Sequence, residues 1–161
     1  MAKGMVVYDT YFGNTERVAQ AIGAALADRV PMTVRKVSEA TPADLQGLSL
    51  LVVGAPTRAF HASPAIGKWL STLPRSALAG VAVAGFDTRM WMDDRKTPGI
   101  LRFMAGIFGY AAEPIARKLV RAGGKQAAPP AGFYVTDTEG PLKAGELDRA
   151  AGWARQIADG L

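Results

Sequence analysis

Apolar residues recur along the chain in two alternating patterns, one typical of buried strands and the other of amphipathic helices. Short β-branched and aromatic runs predict strands over 5–8, 48–53, 81–86 and 133–135. A shorter run with polar neighbours predicts an edge strand over 32–37.

The stretches between these runs carry apolar residues three or four positions apart, as an amphipathic helix requires. They predict helices over 16–28, 64–73, 113–122 and 144–158. Five strands with intervening helices predict an α/β fold, a parallel sheet with helices on both faces. Since no internal repeat or linker interrupts this order, we expect a single domain over 1–161.

The loop between the first strand and the first helix reads Thr-Tyr-Phe-Gly-Asn-Thr at residues 10–15. A helix N-terminus offers free backbone N–H groups and the positive end of a dipole, which suit an anion. Gly13 lets the backbone approach closely, while Asn14 and Thr15 are suited to cap the helix. The loop has no Lys or Arg, so it suits a phosphate bound by dipoles rather than by ion pairs. From spacing alone, a phosphate site and an ordinary capped turn stay equally open.

Composition removes several classes of chemistry. The 161 residues include no cysteine and one histidine, which excludes thiol catalysis and disulfides and argues against a multi-histidine metal site. The N-terminus leads straight into a strand, so no signal peptide is expected. The longest apolar stretch, 100–112, is interrupted by Arg102 and is too short to span a bilayer. We therefore expect a soluble cytoplasmic protein.

The chain carries a formal net charge of +5, and the excess is concentrated in one region. Between Arg89 and Lys125 there are eight basic and three acidic residues. A solvated helix face and a docking surface for an acidic protein, an anionic lipid surface or a polyanion are both consistent with this cluster. No motif indicates specific nucleic-acid binding.

Ligands of such a sheet bind beyond the carboxyl ends of its strands. Three loops are expected at that edge, over 10–15, 54–61 and 87–91. The first offers donors for a phosphate, and the other two carry Phe60 and Trp91. Together they suit a planar ring on a phosphorylated tail.

Four segments resemble the flavodoxin family, and the resemblance extends over nearly the whole chain. They are Val-Val-Tyr-Asp-Thr-Tyr-Phe-Gly-Asn-Thr-Glu at 6–16, Val-Gly-Ala-Pro-Thr-Arg at 53–58, Gly-Phe-Asp-Thr-Arg at 85–89 and Glu-Gly-Pro-Leu-Lys-Ala-Gly-Glu-Leu at 139–147. The most specific is Gly-Asn-Thr-Glu between a strand and a helix. The short path from Val135 to the last helix resembles the short-chain branch of the family.

The resemblance implies a doubly wound five-stranded parallel sheet of order 2-1-3-4-5 that binds FMN non-covalently. It implies an electron carrier, in preference to a substrate-specific flavin oxidoreductase, and a redox partner protein, which the basic charge leads us to expect to be acidic at its docking face. It implies no catalytic or metal-binding residue. The implied FMN-binding residues are Thr10, Tyr11, Phe12, Gly13, Asn14, Thr15, Pro56, Thr57, Arg58, Ala59, Phe60, His61, Asp87, Thr88, Arg89, Met90 and Trp91.

Four features depart from the family's pattern. Phe12 stands where a third hydroxyl is usual, and a lost hydrogen bond to phosphate costs about 1.5–3 kcal/mol unless Arg58 compensates. Residues 58–61 lack the glycine often found in the ring-binding loop. The chain is basic, whereas typical flavodoxins are acidic. The fourth departure is an apolar and basic insertion over 92–110.

Two interpretations of this insertion stay open. It is either an extra helix whose apolar side packs on the domain, or a partly exposed surface for a partner or a membrane. The second interpretation resembles the flavodoxin-like, quinone-dependent protoporphyrinogen oxidases, so an oxidoreductase of that type is one alternative function. A binding module with weak FMN affinity, suggested by Phe12, is the other.

Several individual side chains have a structural interpretation besides a functional one. We interpret His61 as an exposed loop residue in preference to a flavin contact. Trp91 is the stronger ring candidate because it follows a strand end. The Asp87 carboxylate either accepts a hydrogen bond from the flavin edge or orders its own turn. Their helix positions predict that Trp69 and Trp153 belong to the core.

Overall fold

One parallel sheet organises the chain. The computed structural model describes residues 2–58, 61–92 and 98–161, with the backbone alone for 105–108. In these ranges the strands are β1 Gly4–Tyr8, β2 Met32–Lys36, β3 Leu50–Pro56, β4 Ala82–Met90, β5 Lys125–Gln126 and β6 Ala131–Val135. They lie in the order β2-β1-β3-β4-β5, and β6 also pairs with β4. The predicted α/β class and the order 2-1-3-4-5 are confirmed.

Helices cover both faces of the sheet. Their bounds are α1 Asn14–Leu26, α2 Pro64–Ser71, α3 Gly99–Phe108, α4 Ala112–Arg121 and α5 Glu146–Asp159. Two 3₁₀ turns, Val37–Glu39 and Pro42–Leu45, connect β2 to β3. Among the described residues, no helix is long and apolar enough to cross a membrane.

Each face of the sheet has its own apolar core. On the side of α1 and α5, the rings of Phe86, Phe133 and Trp153 meet edge to face, with centroids 6.0–6.1 Å apart. On the side of α2 and α4, Ile115 is buried while Trp69 is only partly so. The core role predicted for Trp153 is therefore correct, whereas Trp69 lies at the margin of its core.

Strand β4 is longer than the apolar pattern predicts. The pattern ends the strand at Phe86, but β4 continues to Met90, pairing with β3 as far as Thr88 and with β6 over its last five residues. The prediction of a loop over 87–91 was therefore wrong for all but its last residue. The reason is that Arg89 and the Ala112 N–H satisfy the buried Asp87 carboxylate, so a charged residue can continue this central strand.

The fifth position of the sheet is shared by two short strands. β5 pairs with the start of β4 and β6 with its end. Ala127–Pro130 separates them, and its two prolines have no N–H to donate to a ladder. The apolar pattern does not predict β5, whose two residues are polar and exposed.

Candidate functional site

A cleft of about 230 Å³ opens at the carboxyl edge of the sheet. Its walls come from the loop before α1, the ends of β3 and β4, and the segment after β6. It brings together many of the residues predicted from the three loops, namely Thr10, Tyr11, Phe12, Asn14, Thr15, Pro56, Thr57, Arg58, Thr88, Arg89 and Met90. Val135 and Thr138 also line it, and the sequence analysis had selected neither.

The N-terminus of α1 forms one end of the cleft. Gly13 is the N-cap, with a φ of 90° that favours glycine, and no side chain caps the helix by a hydrogen bond. Asn14 and Thr15, predicted as caps, instead lie inside the first turn because Gly13 makes the chain reversal. The Gly13 N–H donates to the Thr10 Oγ1 over 2.9 Å. Since that oxygen is the acceptor, the Thr10 hydroxyl hydrogen remains available as a donor.

Two buried threonines join α1 to β4 at the cleft. The Oγ1 atoms of Thr15 and Thr88 lie 2.7 Å apart, and either can be the donor. One hydroxyl hydrogen is used in this bond, so the other is available to a group in the cleft.

A tyrosine fixes the start of α1 against β1. The Tyr8 hydroxyl donates to Glu16 Oε1 over 2.8 Å. Burial and the neighbouring Glu16 carboxylate raise the pKa of Tyr8 to about 12. This hydrogen bond therefore fixes the start of α1, whose N-terminus faces the cleft, against β1.

The loop after β6 closes over the same helix end. The Asn14 side-chain amide donates to the carbonyl of Glu139 over 3.1 Å, and this contact leaves Thr138 on the wall of the cleft. This loop is not among the three predicted from the sequence. The rule that ligands bind beyond the carboxyl ends of strands applies equally to the predicted strand over 133–135, which is part of β6, and could have identified it.

Asp87 lies beneath the cleft rather than on its wall. Its fully buried carboxylate accepts two 2.7 Å hydrogen bonds from Arg89 and one of 2.9 Å from the Ala112 N–H. Burial raises the pKa of Asp87, and the Arg89 guanidinium and the Ala112 N–H oppose that rise. Of the two roles considered for Asp87, these contacts support the structural one, which fixes Arg89 and the start of α4.

Arg89 reaches the cleft with its charge already balanced. Its guanidinium pairs with Asp87 and also lies 3.8 Å from the Tyr110 ring centroid. Arg58 is different, since it is exposed and its guanidinium lies over the Tyr11 ring at 4.7 Å. Arg58 is thus the cation on the cleft wall whose side chain projects toward solvent.

The turn that carries Arg58 is closed by two backbone hydrogen bonds with His61, of 2.8 and 2.9 Å. His61 is exposed and does not line the cleft, in keeping with its interpretation as a loop residue. The predicted ring-binding residues Ala59 and Phe60 lie outside the described residues.

Trp91 packs outside the cleft. Its ring stands edge-on to Tyr134 at 4.9 Å, and the Lys143 Nζ lies 4.2 Å from its centroid. Tyr11, Phe12 and Met90 are the exposed apolar side chains that line the cleft.

Helix α3 occupies part of the apolar insertion. The side chains of Ile100 and Phe103 are each 64% exposed, and Leu101 is exposed as well. The interpretation that the apolar side packs on the domain is therefore wrong for these three residues. The side chains of Ile107 and Phe108 lie outside the description.

A second groove, of about 360 Å³, lies between α2 and the 3₁₀ turns, with Leu45, Trp69 and Leu73 in its walls. It is larger than the first cleft but mainly apolar, and its described lining residues include neither an α-helix N-terminus nor a cluster of hydroxyl groups. Donor chemistry, rather than volume, marks the first cleft as the candidate site. Among the described residues, no group of three or more His, Asp or Glu side chains could hold a metal ion.

Comparison with known proteins identifies the fold. No protein-family model and no curated protein sequence matches the chain. Oxidised flavodoxin 2 from Bacillus cereus is similar in structure, with a TM-score of 0.78, 17% identity and 99% of each chain covered. A flavodoxin from the domain Archaea gives a TM-score of 0.68 and 20% identity, with 98% of this chain and 96% of that one covered.

A larger protein contains a similar unit. Rubredoxin oxygen:oxidoreductase from Desulfovibrio gigas gives a TM-score of 0.75 and 15% identity over 98% of this chain, which spans 35% of that protein. The chain has the flavodoxin-like fold, as the resemblance in its sequence implied.

Proposed function

We propose that the protein is an FMN-binding electron carrier. The observation that carries this proposal is the cleft at the start of α1, where hydroxyl donors and a helix N-terminus without a side-chain cap adjoin exposed aromatic side chains. The flavodoxin-like fold supports the same conclusion. A cytoplasmic location is part of the proposal.

The donor set fits a phosphate. Thr10 has a hydroxyl hydrogen to donate, and the Thr15–Thr88 pair has one more. At Gly13, an added Cβ would meet no atom within 4 Å, so the backbone is open on that side to a ligand. These groups would hold the phosphate of FMN by dipoles and hydroxyl hydrogen bonds at the helix N-terminus.

The other walls fit a planar ring. Tyr11 and Met90 lie in the cleft and are exposed, so they offer apolar surface to the isoalloxazine. Bound FMN would supply the one- and two-electron chemistry, while the chain binds it, orients it and limits access of water. Arg58 would contribute positive charge at the cleft.

The exposed basic residues of α4 support the proposal that the redox partner is acidic at its docking face. Arg117, Lys118 and Arg121 are exposed on α4, in the region that contains the chain's charge excess. Complementary charge speeds association and makes it sensitive to salt. Weakened binding to an acidic partner at raised ionic strength would support this part of the proposal.

The exposed apolar residues of α3 favour a second candidate, an oxidoreductase that works at a membrane surface. Ile100, Leu101 and Phe103 lie close in sequence to the basic α4, a combination that suits anionic lipid. Sedimentation with anionic vesicles tests it. Ile100→Ser with Phe103→Ser should abolish binding, whereas Leu161→Ser, an exposed apolar control at the C-terminus, should not.

The visible spectrum of the purified protein, before and after addition of FMN and removal of excess, tests the leading proposal. Retained flavin absorption bands are expected. A protein that stays colourless after exposure to FMN would instead support the binding module with weak FMN affinity, for which Phe12 remains the argument.

A further inference from the structure

The turn after β6 places Thr138 on the wall of the cleft, next to the residue that contacts the start of α1. We infer that Thr138 is a phosphate-binding residue, one that distinguishes a phosphorylated flavin from its dephosphorylated form. This inference rests on the proposed function.

Thr138 lies on the cleft wall close to the start of α1. Thr138 lines the cleft, and its neighbour Glu139 accepts a 3.1 Å hydrogen bond from Asn14, the first residue of α1. The backbone of Gly140 lies directly against the same side chain, since an added Cβ would come within 2.8 Å of the Asn14 amide. The turn is therefore joined to the N-terminal end of α1, where anions bind.

The turn that carries Thr138 is held by its own hydrogen bonds. The Gly140 N–H donates to the carbonyl of Asp137 over 3.0 Å, which closes a turn with Thr138 inside it. The Thr138 N–H donates to the Asp137 carboxylate over 2.7 Å. Gly140 has a φ of 106°, a conformation that glycine adopts without strain. A hydroxyl on such a turn is presented with little loss of entropy on binding.

A phosphate at this end of the cleft needs hydrogen-bond donors. A phosphate dianion accepts several hydrogen bonds, but the loop over 10–15 contains no Lys or Arg, and Thr10 and the Thr15–Thr88 pair offer one hydroxyl hydrogen each. An additional hydroxyl at this end is therefore worth the strength of a hydrogen bond to a charged group, about tenfold or more in affinity.

Thr138→Val removes the hydroxyl and keeps the shape, Thr138→Ser keeps the hydroxyl, and Thr136→Val is a control in the same loop outside the cleft. Each is titrated with FMN and with riboflavin by flavin fluorescence, and folding is checked by circular dichroism. We expect Thr138→Val to weaken FMN binding about tenfold or more and to leave riboflavin binding unchanged. Thr138→Ser and Thr136→Val should stay within about threefold of the unmodified protein.

Two outcomes overturn the inference while the proposed function stands: equal FMN affinity in Thr138→Val, or equal weakening of FMN and riboflavin, which would make Thr138 a wall residue without a phosphate contact. If the unmodified protein does not bind FMN at all, the proposed function fails and the inference fails with it.

Discussion

The hydroxyl oxygens of Thr15 and Thr88 lie 2.7 Å apart, although 73 residues separate them in the chain. Both residues are almost fully buried and both line the cleft. The contact ties the start of α1 to the end of β4, so one pair of side chains serves both the fold and the proposed phosphate site.

Replacing one member of this pair separates the two roles from each other. Thr88→Val leaves the Thr15 hydroxyl buried without its partner, which should lower the free energy of unfolding by about 1–3 kcal/mol. The Thr15 hydroxyl hydrogen is still free to donate to the cleft, so FMN affinity should fall by less than about tenfold. Urea unfolding and a fluorescence titration measure the two effects.

The double variant Thr15→Val with Thr88→Val is the matched control. Replacing both partners by apolar groups of similar shape is nearly neutral for stability, so it should recover part of the loss. FMN affinity should instead fall further than in Thr88→Val, because the double variant removes both hydroxyl groups of the pair from the cleft. Parallel changes in stability and affinity would mean that the pair acts on binding only through the fold.

The aromatic residues of the cleft should matter more for flavin binding than Trp91. Trp91 packs on Tyr134 outside the cleft, so Trp91→Ala should change FMN affinity by less than about threefold. Tyr11→Ala removes a ring that lines the cleft and should weaken binding about tenfold, within the range of an aromatic contact plus its buried area. The opposite ranking would restore Trp91 as the ring contact.

Arg58 should raise the midpoint potential of bound FMN, because a positive charge near the ring favours the more negative reduced form. The charge of Arg89 is balanced by Asp87, so Arg58→Gln is the informative change. It should make the potential more negative at low salt, and less so near 1 M salt, where the Debye length falls to about 3 Å.

Arg29→Gln is the control for this potential. Arg29 follows the opposite end of α1, about 20 Å from the helix start. It should leave the potential unchanged. An Arg58→Gln potential that does not move, or moves to less negative values, would show that this charge does not act on the flavin.

Glu146 should make the protein sensitive to acid. Its carboxylate accepts hydrogen bonds from the Tyr134 N–H at 2.7 Å and from Arg149 at 2.6 Å. Burial opposes ionisation, but these bonds outweigh it and lower the pKa of Glu146. A lowered pKa contributes stability that is present above the unfolded value of about 4.3 and is lost as the pH falls through the folded value.

Thermal unfolding between about pH 6 and pH 3 measures this contribution. Glu146→Gln should lower stability at pH 6 and reduce the loss on acidification. Asp148→Asn, which removes an exposed acid on the same helix, should follow the unmodified protein. If Glu146→Gln has the same pH dependence as the unmodified protein, other carboxylates dominate acid unfolding.

The sequence predicts the sheet well because each central strand is a continuous apolar run that can only be buried on both faces. The apolar pattern does not predict where the strands end. The apolar pattern stops at Phe86, yet β4 continues through Asp87, whose charge is satisfied by Arg89 and the Ala112 N–H, partners that only the folded chain brings together.

The candidate site also contains a part that the sequence predicts and a part that it does not. Residues 10–15 are consecutive in the chain, so the loop and its hydroxyl and glycine residues can be identified from the sequence. Thr138 lies more than a hundred residues away and reaches the cleft through the contact of Asn14 with Glu139, which no periodicity encodes. The sequence also left open whether Ile100 and Phe103 are packed or exposed, because an apolar stripe has the same pattern in both cases.

Paired titration of the unmodified protein with FMN and riboflavin tests the central claim most directly. The two ligands share the isoalloxazine and differ in the phosphate, so their affinity ratio isolates the site at α1. We predict quenched flavin fluorescence and FMN binding that is tighter than riboflavin binding by at least about tenfold, the value of a single hydrogen bond to a charged group. Equal affinities, or no binding of FMN, would contradict the assignment of this cleft to a phosphorylated flavin.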